Sequence, residues 1–198
     1  GPSFAAEVAD RQPTAVTVAF ADTEAAETVQ HLFSTDYFRV YSSDDVIGLE
    51  LSGAIKNVIA IAAGTCDGLN YGLNTRAALI TRGLAEITRL GVAMGGQPQT
   101  FAGLGGMGDL VLTCTGNLSR NRTVGLKLGS GLTLDQALSE MKMVAEGVKT
   151  TQSCYKLAKE LHVEMPILEQ VYQVLYNDKQ CADAVRELFQ RDLKHESN

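Results

Sequence analysis

The sequence lacks tryptophan and has few prolines, aromatic residues and cysteines. Its 198 residues include four prolines and four cysteines, and aromatic residues make up 6%. The cysteines form no CxxC pair and are far apart in the chain: Cys66, Cys114, Cys154 and Cys181. This spacing argues against a structural zinc site. It predicts a reduced, cytoplasmic protein, because disulfides belong mainly to oxidising compartments.

An excess of positive charge is also missing. The formal net charge is −6 at pH 7, whereas a nucleic-acid-binding surface normally needs a basic face. No run of about eighteen apolar residues is free of polar breaks, so we expect no transmembrane segment. The chain starts with Gly1 rather than methionine and has no charged-then-apolar leader. We interpret this start as a cut inside a longer protein or as the scar of tag cleavage.

The first part of the chain has the pattern of one βαβ unit. A β-branched run at 14–21 predicts a buried strand, 23–32 predicts a helix capped by Asp22 or Thr23, and 38–42 predicts a second strand. Two strands do not make a stable open sheet alone. We therefore interpret this part as the last piece of a doubly wound α/β domain.

From about residue 48 the pattern becomes helical, with apolar residues near a spacing of 3.6. It predicts an all-α domain of roughly seven helices. A cap at Asn74 or Thr75, a cap at Ser119, a capping box at Thr133 and a helix start at Pro166 support this prediction. The predicted helices are 49–64, 74–94, one within 116–129, 133–141, 145–161, 166–177 and 182–189.

The helix predicted at 49–64 carries Lys56 and Asn57 within an almost wholly apolar stretch, LELSGAIKNVIAIAAG. Such a helix is packed on nearly every face. Because burying an ammonium group without a partner is costly, Lys56 is a candidate general base or substrate-holding cation. The alternative is that Lys56 extends its amine from an ordinary core helix to the surface.

The segment 103–108 matches GxGxxG, but no strand precedes it. Since the dinucleotide fingerprint needs that strand, we interpret the match as false. Its glycines are expected to let Asp109 and the following helix approach the site closely. Asp109 and Thr113 are four residues apart and share a helix face. Asp109 either caps this helix or pairs with a buried cation such as Lys56.

A second candidate is Leu118–Arg122, where Ser119 and Asn121 flank Arg120 at a predicted helix start. Hydroxyls, helix N–H groups and a guanidinium form anion sites, typically for phosphate. The alternative is a solvated basic helix start. The three histidines have no cysteine, aspartate or second histidine at metal-ligand spacing, so we predict no metal site.

Together these blocks resemble bacterial-type NAD(P)-dependent glycerol-3-phosphate dehydrogenase. The resemblance is carried by GPSFAAEV, ELSGAIKNVIAIAAG, GLNTRAALITRGLAE, TFAGLGGMGDLVLTCTGNLSRNR, VAEGVKT and MPILEQVYQVLY, in the family's order. It implies reduction of dihydroxyacetone phosphate to sn-glycerol 3-phosphate with NADPH or NADH, for glycerophospholipid synthesis. The implied fold is mainly α: residues 1–47 would end a Rossmann domain, and 48–198 would form a helical domain like that of 6-phosphogluconate dehydrogenase.

The resemblance also implies roles for individual residues. Lys56 would transfer the proton, and Asp109 would tune it. The residues matching the family's substrate-pocket positions are Gly1, Ser3, Lys56, Asn57, Asp109, Thr113, Ser119, Arg120 and Asn121. The residues matching its cofactor-contacting positions are Ala5, Arg120, Val144 and Glu146.

The family's glycine-rich phosphate loop and most of its Rossmann sheet are not among these 198 residues. We therefore expect these 198 residues to be inactive by themselves. The resemblance is compatible with a homodimer and leaves the choice between NADH and NADPH open. Two other readings are another oxidoreductase with a 6-phosphogluconate-dehydrogenase-like helical domain, and a non-catalytic helical dimerisation module.

Overall fold

A computed structural model describes residues 1–141, 145–193 and 195–196 of the protein. The first part is a small α/β unit in which the strands β1 (Thr14–Ala19) and β2 (Phe38–Ser43) pair in parallel, with Thr14 opposite Phe38 and Ala19 opposite Ser43. The pairing is parallel because the chain returns through a crossover helix. This confirms the predicted βαβ unit. The crossover helix of this unit is α2 (Thr23–Phe33), and a short helix α1 (Ala5–Ala9) precedes β1.

The prediction that β1 is a buried strand is wrong. All six of its residues are half-buried, and within the described part of the chain β1 pairs only with β2. A strand is fully buried when neighbours and helices cover both faces. The β-branched run is therefore typical of a central strand, but the surroundings that would bury it are not found among the described residues.

The rest of the described chain is helical, which confirms the predicted all-α region. It contains nine α-helices and one π-helical turn. Two short helices exceed the predicted seven: Pro98–Phe101, which was not predicted, and Asp109–Thr115, which is the helix expected after the glycine-rich segment. The elements are α3 (Val46–Gly68), α4 (Leu73–Ala93), α5 (Pro98–Phe101), the π-helical turn (Leu104–Gly108), α6 (Asp109–Thr115), α7 (Arg120–Gly129), α8 (Leu134–Ser139), α9 (Glu146–Glu160), α10 (Pro166–Tyr176) and α11 (Cys181–Phe189).

Several predicted helix ends are observed, and one is not. Ser119 caps α7, Thr133 and Gln136 form the capping box of α8, and Pro166 opens α10. The cap predicted at Asn74 or Thr75 is wrong, because α4 already begins at Leu73 after Gly72, without a side-chain cap.

Helix α3 is the centre of the fold and packs against α4, α6, α7, α9 and α10. It is longer than predicted by three residues at its start and four at its end, because it begins at Val46 and ends at Gly68. By length and apolar composition alone α3 would qualify as a membrane span. It is the core helix of this fold, however, since the residues from Asn57 to Cys66 are all buried against its neighbours.

Glycines bring α3 and α7 into direct backbone contact. A Cβ added at Gly64 would lie 1.9 Å from the carbonyl oxygen of Arg122, and one at Gly125 would lie 1.9 Å from that of Ile61. Because glycine has no Cβ, the two helices can approach this closely. The contact sets the start of α7 beside the segment of α3 that carries Lys56.

Candidate active site

Lys56 and Asp109 form an ion pair at the centre of the site. The lysine Nζ donates to Asp109 Oδ2. The Asp109 side chain is 7% exposed and that of Lys56 is 20% exposed. A charge pair in such a place is tolerated only because each charge has its partner. Of the two sequence alternatives, the pairing is therefore observed, and Lys56 is not an unpaired lysine reaching for the surface.

The glycine-rich segment delivers Asp109 to this position. It forms the π-helical turn, follows helix α5 rather than a strand, and leads directly into α6. A Cβ at Gly106 would lie 2.1 Å from the carbonyl oxygen of Phe101, so this turn requires glycine. The interpretation of GxGxxG as a false dinucleotide match is thus confirmed by its context. Asp109 makes no side-chain cap hydrogen bond to α6.

Thr113 lies one turn after Asp109 on the same face, as predicted. Its hydroxyl donates to the Asp109 carbonyl oxygen at 2.6 Å and lies 3.5 Å from Oδ1 of the carboxylate. The hydroxyl is therefore bound mainly to the backbone, and it leaves Oδ2 of Asp109 to the lysine.

The first residues of the chain line the same ion pair. The backbone nitrogen of Gly1 lies 3.2 Å from Asp109 Oδ2. The segment then runs along α6: a Cβ at Gly108 would touch Pro2 at 3.6 Å, and one at Gly116 would lie 2.4 Å from the Phe4 ring. The structure thus brings Gly1, Lys56 and Asp109 together.

The start of α7 presents a cation and free helix donors. Ser119 is buried and its hydroxyl accepts from the Arg122 backbone nitrogen at 3.3 Å. Arg120, the first helical residue, is exposed, and its guanidinium makes no hydrogen bond or ion pair with the described residues. The Arg122 N–H group is thus occupied by the cap, whereas the backbone N–H groups of Arg120 and Asn121 have no partners within the helix. Together they can hold an anion such as a phosphate.

Arg122 has a different role, because it is bound within the protein. Its Nε donates to Asp67 Oδ2 at 2.8 Å, and its Nη2 lies 2.7 Å from the same oxygen. Arg76 pairs with the other carboxylate oxygen of Asp67. Sequence reasoning placed Asp67 in a loop and missed this link. A lone acid just after an apolar helix, nine positions before Arg76, was the available signal.

Asn57 and Asn121 meet in a hydrogen-bonded chain. The Asn121 amide nitrogen donates to Asn57 Oδ1 at 2.9 Å, and its Oδ1 accepts from the Gly147 backbone nitrogen at 2.9 Å. Both asparagines are at least nine-tenths buried. This chain joins α3, α7 and the first turn of α9. Sequence reasoning gave Gly147 no role, although it follows one of the predicted cofactor residues.

The other predicted site residues that the structure describes are exposed. Ser3 is exposed and its hydroxyl donates to the carbonyl oxygen of Gly1 at 3.0 Å. Ala5 is exposed at the start of α1, and Glu146 is exposed at the start of α9, beside Gly147. Val144 lies outside the described residues.

Other features of the described residues do not belong to this site. No group of three or more histidine, cysteine, aspartate or glutamate side chains among them is arranged to hold a metal ion. Burial raises the pKa of the Cys66 and Cys114 thiols to about 11 and about 12, as for unreactive core cysteines. A cavity of about 430 Å³ lies between α4, α10 and the chain end, and none of its lining residues is a predicted site residue.

The geometry therefore combines two functions. A lysine–carboxylate pair whose carboxylate is buried and whose lysine is half-buried can hold and transfer a proton beside a reacting oxygen. An unpaired arginine at a helix start can bind an anionic group of the same ligand. Lys56 and Asn57 are adjacent in α3, and Asn57 contacts the α7 turn that carries Arg120, so the two functions are joined through neighbouring residues.

Comparison with known proteins identifies a family of oxidoreductases. A family model described as the C-terminus of NAD-dependent glycerol-3-phosphate dehydrogenase matches residues 45–186. The glycerol-3-phosphate dehydrogenase [NAD(P)+] of Citrifermentans bemidjiense is 68% identical over 196 residues, covering 99% of this chain and 58% of that relative. The chain thus spans somewhat more than half the length of the curated relatives it matches.

Solved structures agree with these sequence matches. The crystal structure of glycerol-3-phosphate dehydrogenase from Coxiella burnetii is 46% identical, with a TM-score of 0.94 over 96% of this chain and 59% of that one. The enzyme from Saccharomyces cerevisiae is 29% identical, with a TM-score of 0.84 over 94% of this chain and 57% of that one.

Proposed function

The chain belongs to the NAD-dependent glycerol-3-phosphate dehydrogenase family, and we propose that its protein reduces dihydroxyacetone phosphate to sn-glycerol 3-phosphate with NADPH or NADH. The product would supply glycerophospholipid synthesis. The observation that carries this proposal is the partly buried ion pair of Lys56 and Asp109, next to a helix start with an exposed arginine.

Lys56 is the proton-transfer group of the proposed reaction. Reduction of a ketone places negative charge on its oxygen, and a nearby acid lowers the barrier by supplying a proton as that charge develops. Asp109 keeps the lysine ammonium oriented and makes its burial tolerable. In the reverse direction Lys56 accepts the proton from the alcohol.

Arg120 and the first turn of α7 hold the substrate phosphate. A guanidinium and backbone N–H groups match phosphate oxygens in geometry and charge. The bound NADPH or NADH supplies the hydride. The unpaired guanidinium of Arg120 also suits an anionic dinucleotide, and Ala5, Val144 and Glu146 are proposed as further cofactor contacts on the family resemblance.

The proton-transfer role is tested by replacing Lys56 in the full-length protein. Lys56→Ala removes the proton donor, and we expect turnover of dihydroxyacetone phosphate to be abolished while the fold is retained. Lys56→Arg keeps a cation for Asp109 but cannot give up its proton near neutral pH. We expect its kcat to fall by about 10²- to 10⁴-fold. Initial rates of NADPH oxidation measure both variants.

The matched control is Lys156→Ala, which removes an exposed lysine from α9. Its kcat and thermal unfolding should match those of the unmodified protein. Near-normal activity in either Lys56 variant would refute the assignment of Lys56. Absence of activity with dihydroxyacetone phosphate, but activity with another phosphorylated or carboxylated ketone, would instead point to a different member of the same superfamily.

The phosphate-binding role is tested by Arg120→Ala. We expect KM for dihydroxyacetone phosphate to rise by about tenfold or more, because a charge-assisted pair is lost. Competitive inhibition by inorganic phosphate should weaken in parallel. Unchanged values for both quantities would show that the anion binds elsewhere.

A cytoplasmic location and a homodimer complete the proposal. The four cysteines are free and three of them are buried, which suits a reducing compartment. The homodimer is supported by the family resemblance, and analytical ultracentrifugation of the full-length protein tests it.

A further inference from the structure

Arg122 ties the start of α7 to the end of α3. Its backbone nitrogen donates to the Ser119 hydroxyl at 3.3 Å, and its Nη1 donates to Asn117 Oδ1 at 3.1 Å. Its Nε donates to Asp67 Oδ2 at 2.8 Å, and its Nη2 lies 2.7 Å from the same oxygen. One residue therefore connects the segments on both sides of Arg120 and fixes them to α3.

The backbone of Arg122 packs on the same part of α3. A Cβ added at Gly64 would lie 1.9 Å from the Arg122 carbonyl oxygen, and Gly64 and Asp67, three positions apart, share a helix face. The same helix carries Lys56, eleven positions before Asp67, which corresponds to about 16 Å along a helix axis. Because Arg122 holds the turn on α3, one continuous helix sets the separation between Lys56 and that turn.

The pair of Asp67 and Arg122 is largely shielded from solvent. The Asp67 side chain is 8% exposed and that of Arg122 is 16% exposed. Exposed pairs contribute little because water and salt screen them, whereas removing one partner of a buried pair is costly. Arg76 of α4 pairs with the other oxygen of the Asp67 carboxylate. The pair is therefore a firm connection between two helices rather than a screened surface contact.

We infer that Asp67 and Arg122 are positioning residues for the substrate phosphate. They hold the turn that carries Arg120, so that a phosphate bound there leaves the reacting oxygen of the substrate beside Lys56. The inference rests on the proposed function and extends the site to a carboxylate at the far end of α3. Both residues act through Arg120, because the Arg122 guanidinium is directed at Asp67 and Asn117.

The two guanidinium groups on Asp67 give a matched pair of variants of the full-length protein. Arg122→Gln and Arg76→Gln each leave the carboxylate with one arginine, so both should lose a similar amount of thermal stability. Among the described residues Arg76 makes no hydrogen bond or ion pair with the segment 116–122. Arg122→Gln should raise KM for dihydroxyacetone phosphate by about tenfold, with kcat changing less.

Arg76→Gln should keep KM close to that of the unmodified protein. An equal rise in KM for the two variants would overturn the inference, because a lost charge pair or lower stability would then explain the effect. If Arg122→Gln does not fold, Arg122→Lys and Arg76→Lys replace the pair. Arg122→Lys keeps a cation for Asp67 but loses the bond to Asn117, and it alone should raise KM.

Asp67→Asn tests the other end of the connection. The amide has nearly the same shape but lacks the charge that holds Arg122, so KM should rise as in Arg122→Gln. Combining Asp67→Asn with Arg122→Gln should add little, since both break the same contact. An unchanged KM in Asp67→Asn would overturn the inference.

A double-mutant cycle shows whether Arg122 acts through Arg120. In an Arg120→Ala background the guanidinium that is positioned is gone, so adding Arg122→Gln should change KM little further. Independent, multiplying effects would overturn the inference, because Arg122 would then act on the substrate directly or through another residue.

Anion binding separates this inference from the proposed function. If the unmodified protein does not turn over dihydroxyacetone phosphate, the proposed function fails. Protection by inorganic phosphate against thermal unfolding then tests the inference: the unmodified protein and Arg76→Gln should be protected, and Arg122→Gln should not. Equal protection of all three, or of none, would overturn it.

Discussion

Replacing Glu86 with glutamine is expected to remove a pH-dependent loss of stability. Glu86 lies on α4, is 1% exposed, and caps α10 by accepting from the backbone nitrogens of Ile167 at 2.7 Å and Leu168 at 3.2 Å. Burial raises its pKa from 4.5 to about 7, although these two hydrogen bonds act in the opposite direction.

The direction of this pH dependence follows from how many protons the folded and the unfolded protein bind. Between pH 4.5 and about 7 the Glu86 carboxyl is ionised in the unfolded chain but keeps its proton in the folded protein. The folded state then binds more protons, so the free energy of unfolding falls as pH rises through this window and levels off above it. At about 1.4 kcal/mol per pH unit, the loss is about 3 kcal/mol.

Urea unfolding at intervals from pH 5 to pH 8 measures this loss. Glutamine has nearly the same shape and does not ionise, so Glu86→Gln should lose about 3 kcal/mol less than the unmodified protein across the range. Glu160→Gln, which alters an exposed carboxyl of α9, should follow the unmodified protein. If Glu86→Gln shows the same pH slope as the unmodified protein, the buried carboxyl is not its source.

Three further substitutions test the capping and packing of α3. Asp45→Ala should lower the free energy of unfolding by about 2 kcal/mol, measured by urea unfolding, because Asp45 caps α3 and also accepts from the Gln97 backbone at 2.8 Å. Gly125→Ala should lower it by about 1–3 kcal/mol, since the new Cβ would lie 1.9 Å from the carbonyl oxygen of Ile61. Gly53→Ala, in a part of α3 with no atom within 4 Å of a Cβ, should instead stabilise the protein by up to about 1 kcal/mol. A loss of stability in Gly53→Ala equal to that of Gly125→Ala would contradict the close-contact explanation.

The sequence by itself determined the features that depend on a few neighbouring residues. The helix around Lys56, the cap at Ser119 and the start of α10 at Pro166 each follow from periodicity or from one residue's local chemistry. The family blocks indicated which side chains to examine. Such features can be predicted from local sequence because helix caps and helix faces are formed by residues within one or two turns of each other.

The tertiary structure alone decided which distant residues meet. Lys56 pairs with Asp109, 53 positions away, and Asn57 meets Asn121, 64 positions away. Glu86 caps a helix that begins 80 positions later. No local pattern distinguishes a lysine that reaches the surface from one that finds a carboxylate. That choice depends on the glycine contacts that bring α3, α6 and α7 together, and on the cost of leaving any buried charge without a partner.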